Sequence, residues 1–425
     1  MKKSLPLIVM AVACLSAPLT ANLPASASRT PAGGMGTAGS STSEQTLSRI
    51  EALIDKGEPP TEKDFDELNA ILQREPQNTR AHMVTGMAAE ALKLPEQAME
   101  QYDEAVKLSP NDPKPLVDLL FSRIRAGQGA SCTGMIAMAR KRFPHDPEIA
   151  FLTGWDAVNH KTLVKAQIAL TEALKEKPDI PWLNATYADL MLIEGGYNNA
   201  YKYAKRELAK SPNNPKANYV AGMALAHQGR FADAIAYLGK SAITQPQNSE
   251  LTGNLARISN WAGQYDKVLP AALAYLSVTV SAYTVDPQMK AILVDALRHT
   301  KKAQAMKIVD DFVLHFPAAT SNAYFQNVLG EALAEVGWHQ EARERFKDAI
   351  KIQPNCGIAQ FNLGRDYELN QHDYAAALAC YRIAKLTAPS ELHVSDYAER
   401  LEERLSNRNQ DLAWQLRDWM TGNKH

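Results

Sequence analysis

Apolar residues recur at helical spacing along most of the chain, and they define pairs of short helices. In the stretch 322–355, Leu329 and Leu333 fall on one face of a first helix, while Phe346 and Ala349 fall on one face of a second. A helix pair of this size cannot bury its apolar face alone, so such pairs stack in series. The pattern therefore predicts an all-α repeat array.

A regular spacing of prolines supports this prediction. Prolines stand at residues 76, 110, 144, 178, 212 and 246, each 34 residues after the last. In phase with them come Gly86, Gly154 and Gly222 in the first helix, and Ala98, Ala166, Ala200 and Ala234 at the start of the second. Val280 occupies the next proline position, and small insertions fall near Tyr283 and Thr320.

A helix pair of about 34 residues, with small residues where helices cross and a proline at its end, resembles the tetratricopeptide repeat. The resemblance covers roughly residues 45–389 and implies a right-handed α-solenoid. The predicted organisation is a signal peptide (1–27), a Ser/Gly/Pro/Ala linker (28–44), a degenerate capping repeat (45–78), six repeats (79–282), three repeats (283–390) and a C-terminal capping helix with a tail (391–425). The weak sixth repeat leaves two alternatives open for 249–285: a joint between the blocks, or one diverged repeat that packs normally.

The N-terminus has the features of an export signal. Lys2 and Lys3 precede an apolar run, and the small residues Ala25 and Ala27 form a signal-peptidase site, so the mature chain is expected to start at Ser28. A short lysine-led signal of this kind is typical of bacteria and predicts the periplasm or the cell surface. The alternative is a lipoprotein, because the residues before Cys14 resemble a lipidation box.

Composition and motifs exclude several classes of function. A net charge of −1 and a pI near 6.8 do not provide the basic surface of a nucleic-acid binder. The mature chain would keep Cys132, Cys356 and Cys380, an odd number without metal-type spacing, and Cys132 is expected to be a buried small side chain. No phosphate loop, HExxH or GxSxG motif is present. We therefore expect no enzyme, cofactor or metal site.

The resemblance implies a partner-binding groove lined by the first helix of each repeat, at its fifth and ninth positions among others. In this chain the candidate groove residues are Met83, Met87, Phe121, Phe151, Trp155, Tyr219, Met223, Arg257, Lys290 and Arg365. The N-terminal positions are apolar and the C-terminal positions are charged, which predicts an exposed strip that binds an apolar or amphipathic partner segment. The alternative is that the aromatic side chains fill gaps between repeats.

The sequence thus predicts a non-enzymatic scaffold for protein partners in the bacterial cell envelope. Exported proteins that resemble this one are, as a group, accessory parts of pilus assembly, polysaccharide export or outer-membrane biogenesis. Two alternatives stay open: a periplasmic chaperone for amphipathic client segments, and a structural subunit that self-assembles. Neither the partner nor the oligomeric state follows from the sequence.

Overall fold

A computed structural model describes residues 38–281, 284–387 and 393–421, with side chains described throughout except at 38–41, 317 and 408–421. Within these ranges every regular element is a helix and there is no strand. None of the helices there is both long and apolar enough to cross a membrane. The fold is an all-α solenoid of packed helix pairs.

The helices belong to two compact units that divide between Arg230 and Phe231. The N-terminal unit contains α1 Ala38–Asp55, α2 Glu62–Arg74, α3 Thr79–Ala91, α4 Pro95–Leu108, α5 Pro113–Arg125, α6 Thr133–Arg142, α7 Pro147–Asn159, α8 Leu163–Glu176, α9 Leu183–Ile193, α10 Tyr197–Lys210 and α11 Pro215–His227. A short 3₁₀ turn, Gly129–Cys132, precedes α6. In this unit the first helices of the repeats are α3, α5, α7, α9 and α11.

The C-terminal unit begins with the second helix of repeat 215–248. It contains α12 Phe231–Thr244, α13 Ser249–Trp261, α14 Tyr265–Thr279, α15 Pro287–His299, α16 Lys302–His315, α17 Pro317–Ser321, α18 Ala323–Glu335, α19 His339–Ile352, α20 Gly357–Asp366, α21 Tyr374–Thr387 and α22 Val394–Thr421. Its first helices are α13, α15, α18 and α20.

Most first helices start at an Asn or Asp that caps them. The side-chain oxygen accepts a hydrogen bond from a backbone N–H of the first turn, which would otherwise lack a partner. The capping residues are Asn78, Asp112, Asp146, Asn214, Asn248, Asp286 and Asn322. In the 34-residue frame of the N-terminal unit, Ile180 occupies the position where a cap is expected, and α9 begins three residues later at Leu183.

A residue in the left-handed region connects the two helices of each regular repeat. The series is Lys93, Gly127, Lys161, Gly195, Gly229 and Gly263, again 34 residues apart. Glycine adopts this conformation without steric cost, whereas the Cβ atom makes it unfavourable for the two lysines. The turn is therefore fixed by the fold and not by glycine alone.

Helix pairs pack closely through a small residue in the first helix. A Cβ atom added to Gly330 in α18 would lie 2.6 Å from Cε1 of Phe346 in α19. Gly86 and Gly154 lie in the same way against Tyr102 and Leu170. This close approach is the physical reason for the in-phase glycines in the sequence.

Helix α1 begins at Ala38, inside the segment 28–44 whose composition predicts a linker. The helix is held by tertiary contacts that composition does not reveal: Ser43 Oγ donates to Glu75 Oε1 at 2.7 Å, and Leu47 and Ile50 are buried against α2 and α3. The compact units divide at Arg230, outside the segment 249–285, for which the sequence left open a joint or a diverged repeat that packs normally. The predicted signal peptide and Cys14 lie outside the described residues.

Candidate partner-binding groove

Three of the predicted groove residues are buried by their own chain. Met83 in α3 and Phe121 in α5 are each 7% exposed, and Phe151 in α7 is fully buried. The rings of Phe121 and Phe151 stack with centroids 5.7 Å apart and planes at 13°. The expectation of a continuous exposed strip was therefore wrong at these positions, because Phe121 and Phe151 of successive repeats pack against each other and Met83 packs in a hydrophobic cluster.

Four other apolar groove residues remain half-buried. These are Met87 in α3, Trp155 in α7, and Tyr219 and Met223 in α11. Trp155 lies close to the 3₁₀ turn before α6, since a Cβ added to Gly129 would be 2.6 Å from its Cη2 atom. The accessible apolar positions among the predicted groove residues of the N-terminal unit are thus separate side chains on α3, α7 and α11.

The side chain of Trp182 covers the aromatic pair. Trp182 precedes α9, and its ring lies edge-on to Phe121 with centroids 5.6 Å apart, although the two residues belong to repeats that are not adjacent. The guanidinium carbon of Arg125 lies 6.0 Å from the centroid of the same ring, within the range of a cation–π contact. Trp182 itself is half-buried.

Arg125 is held in place by a buried carboxylate. It forms an ion pair with Glu90 of α3, and both side chains are less than one-fifth exposed. The hydroxyl groups of Ser122 and Tyr102 also lie near Glu90. Burial raises the pKa of Glu90, which outweighs the lowering effect of Arg125. The cation that faces Trp182 is therefore already neutralised within the protein.

An unusual backbone brings Trp182 to this position. Its φ of 63° is left-handed, which costs a non-glycine residue about 1–2 kcal/mol. Because Ile180 provides no cap, the first turn of α9 lacks the usual Asn or Asp side chain, and the carboxylate of Glu207 in α10 lies near the backbone N–H groups of Trp182 and Ala185. Burial raises the pKa of Glu207, although these N–H groups favour its charged form. The charge of Glu207 thus lies at the start of α9, where a negative charge is favourable.

In the C-terminal unit, two of the three predicted charged groove residues have acidic partners. Arg257 in α13 lies 3.5 Å from Asp286, and Lys290 in α15 forms a 2.5 Å ion pair with Glu331 in α18. Arg365 in α20 is exposed, with its guanidinium carbon 5.9 Å from the ring centroid of Phe361. Two of the three charges are therefore internally compensated.

The Lys290–Glu331 pair belongs to a polar ladder, which we define as Lys290, Asn327, Glu331 and Asn362. Asn327 Nδ2 donates to Glu331 Oε1 at 2.9 Å, and Asn362 Nδ2 donates to the same oxygen at 2.9 Å and to Asn327 Oδ1 at 3.0 Å. The ladder joins the first helices of three successive repeats, α15, α18 and α20. It gives this unit a polar groove lining.

The cysteines and acidic groups show no chemical site in the described part of the chain. Cys132, Cys356 and Cys380 are free and buried, which confirms the prediction for Cys132, and burial raises the pKa of Cys380 to about 11. No group of three or more His, Cys, Asp or Glu side chains in the described ranges is arranged to hold a metal ion.

The sequence profile of the tetratricopeptide repeat matches residues 66–113, 194–249 and 327–391. Tetratricopeptide repeats therefore make up these three segments of the chain. Proteins of this family are in general non-enzymatic scaffolds for protein–protein interaction, and no catalytic family matches this tetratricopeptide protein. No curated protein sequence matches it.

Solved structures with similar helix arrangements include three tetratricopeptide proteins. The P58(IPK) TPR domain is 12% identical, with 78% of this chain and 99% of that chain covered and a TM-score of 0.29. PilW, described as a type IV pilus biogenesis factor, is 24% identical over 51% of this chain and 98% of that chain, with a TM-score of 0.36. YrrB, described as having an unusual peptide-binding site, is 15% identical over 43% and 93%, with a TM-score of 0.30. At these values the matches carry no statement about partners.

Sequence reasoning missed Trp182, Glu90 and Arg125. Trp182 lies at the second position of its repeat, whereas the prediction used the fifth and ninth positions. One signal was available: Ile180 interrupts the 34-residue series of Asn and Asp caps, which indicates an irregular start of α9. The Glu90–Arg125 contact joins neighbouring first helices and has no periodic signature.

Proposed function

We propose that this protein is a scaffold of the bacterial cell envelope that binds a partner segment along the first helices of its repeats, as an accessory component of an assembly or secretion machine. The observation that carries the proposal is a difference in burial between inward-facing positions and groove positions of the first helices. Inward-facing residues such as Leu120 and Leu152 are fully buried, whereas Met87, Trp155 and Met223 stay half-buried at groove positions. A partner that covers these side chains gains hydrophobic stabilisation without unfolding any repeat.

The chemistry of these side chains fits an apolar or amphipathic segment. Methionine adapts its shape to different partners, and a half-exposed tryptophan supplies a large contact area with one polar N–H. Half-buried aromatic and methionine side chains are enriched at the centres of protein interfaces. The proposed envelope location rests on the N-terminal sequence, with its lysines, apolar run and small-residue cleavage site.

A photo-crosslinking experiment in intact cells tests the groove. The probe replaces Met87, which is half-buried at a groove position, and the control probe replaces Val164 on the second helix α8, where the side chain is 76% exposed. Phe151 is unsuitable for a probe because its side chain is fully buried. One discrete adduct from the Met87 probe, absent with the Val164 probe, is the expected result.

Other outcomes point to other functions. Many weak adducts from the Met87 probe would favour a chaperone, and an adduct with a second copy of the chain would favour self-assembly. Equal adducts from both probes would contradict binding in the groove. The envelope location is tested by sequencing the N-terminus of the mature protein, which is expected to begin at Ser28.

A further inference from the structure

We infer that Trp182 occupies a subsite for an aromatic side chain of the partner, and that the partner's ring replaces it when the segment binds. This inference rests on the proposed function, because it names the chemistry that the groove of the N-terminal unit recognises. The subsite consists of the ring of Phe121 and the guanidinium of Arg125. The occupant to which the proposal commits is an extended peptide segment that carries a tryptophan or another large aromatic residue.

The chain's own ring shows what the subsite accepts. The indole of Trp182 contacts Phe121 at 60° between planes, the edge-to-face arrangement that aromatic rings prefer. Its distance from Arg125 allows a cation–π contact, for which tryptophan is the best partner among the aromatic residues. Because Glu90 already neutralises Arg125, an aromatic ring satisfies the subsite without an additional acidic group.

The way in which Trp182 is anchored makes its ring replaceable. The carboxylate of Glu207 lies near the backbone N–H of Trp182, so this interaction at the start of α9 does not depend on the indole and is kept when the side chain rotates away. The side chain is half-buried and not fully buried, so it can leave without opening the core of a repeat. By contrast, Phe151 is fully buried and stacked on Phe121, and it is expected to remain in place beside Phe121 when the partner binds.

The test removes the indole of Trp182 from the subsite and adds a peptide that carries an aromatic ring. Trp182→Gly removes the indole and suits a φ of 63°, since glycine adopts that conformation without strain. The probe is the blocked tripeptide acetyl-Gly-Trp-Gly-amide, compared with the same peptide carrying alanine at the centre. Binding to the full chain is measured by ligand-observed NMR. We expect the tryptophan peptide to bind Trp182→Gly about tenfold more tightly than wild type, and the alanine peptide to bind neither.

A matched control removes an indole elsewhere. Trp261 in the C-terminal unit is 67% exposed, and its ring centroid lies 6.4 Å from that of Phe231. Trp261→Ala is expected to bind the tryptophan peptide no better than wild type. The double variant Trp182→Gly with Phe121→Leu is expected to lose the gain, because one wall of the subsite is missing. Equal binding by wild type and Trp182→Gly, or by both peptides, would overturn the inference.

A measurement on the unmodified sequence covers the case in which Trp182→Gly does not fold. With 5-fluorotryptophan in all six tryptophan positions, excess tryptophan peptide is expected to shift the ¹⁹F resonance of Trp182 and leave that of Trp261 unchanged. An unshifted Trp182 resonance at saturating peptide would contradict replacement.

The inference and the proposed function fail in different ways. If the groove binds no partner in cells, the Met87 probe gives no adduct in wild type or in Trp182→Gly, while tripeptide binding persists. If a partner binds but does not use the subsite, the Met87 adduct forms equally in both proteins. An increase of severalfold in adduct yield with Trp182→Gly is the result expected when both are right.

Discussion

The contact between Gly330 and Phe346 allows a direct test of the packing argument. A Cβ atom at Gly330 would lie 2.6 Å from Cε1 and 2.7 Å from Cδ1 of the Phe346 ring. Carbon atoms in favourable contact are about 3.5–4.0 Å apart. Phe346 is only 2% exposed, so its ring cannot turn towards solvent. In Gly330→Ala the helices α18 and α19 must therefore separate by about 1 Å.

The expected loss follows from two opposing terms. Overpacking of a buried contact costs about 1–3 kcal/mol, whereas alanine in place of glycine within a helix gains at most about 1 kcal/mol. We expect a net loss of about 1 to 2 kcal/mol in the free energy of local opening. Gly239 in α12 is the matched control, because a Cβ added there meets no atom within 4 Å. Gly239→Ala is expected to gain about 0.5–1 kcal/mol.

Hydrogen exchange measured by mass spectrometry locates the effect, because a repeat array can open one repeat at a time. In Gly330→Ala, protection of the amides in α18 and α19 should fall about tenfold, which corresponds to about 1.4 kcal/mol. Gly239→Ala should leave these amides unchanged. The same protection in Gly330→Ala and wild type would refute the argument.

A double-variant cycle identifies the cause. If the clash with the Phe346 ring is responsible, Gly330→Ala should cost less when combined with Phe346→Leu, with a coupling of about 1 kcal/mol. A coupling of zero would show that the glycine is needed for another reason, such as helix geometry.

Three further predictions concern a turn, a cap and the groove. Lys161→Gly should raise the urea midpoint by the equivalent of about 1 kcal/mol, because the native φ of 56° is strained for lysine, whereas Lys161→Ala should give no gain. Hydrogen bonds from the hydroxyl and the backbone N–H of Thr61 lower the pKa of Asp64 from 3.8 to about 2, so this stabilisation of about 2 kcal/mol is complete above pH 4 and lost as the pH falls through about 2. Urea titrations between these pH values should show the loss in wild type and not in Asp64→Asn. Gly129→Ala should displace the half-buried ring of Trp155 and lower partner capture by the Met87 probe severalfold, with a loss of unfolding free energy below about 1 kcal/mol. Unchanged capture would separate Trp155 from the binding surface.

The fold was predictable because successive repeats carry the same kinds of packing residues at fixed intervals along the sequence. In the regular part of the chain, the prolines, the glycines opposite large side chains and the Asn or Asp caps recur at 34 residues or at twice that interval. The start of α1 was not predictable in this way, since it depends on the bond from Ser43 to Glu75, 32 residues away. Composition describes an isolated segment and carries no information about such a partner.

The candidate groove was predictable only in part. Position within the repeat correctly predicted that residues such as Trp155 and Met223 lie on first helices. It does not show which other residues cover a side chain. Phe121 is covered by Trp182, from a repeat that is not its neighbour, and Lys290 is neutralised by Glu331, 41 residues away. Both contacts depend on how repeats stack, and neither follows from the pattern within one repeat.

The polar ladder has a consequence for how this part of the chain can change in evolution. Each of its three repeats supplies a group that another repeat needs: an ammonium from α15, a carboxylate from α18 and an amide from α20. Deleting or duplicating any one of them would leave a half-buried Lys290 or Glu331 without its counterpart. These three repeats are therefore expected to be inherited as a block.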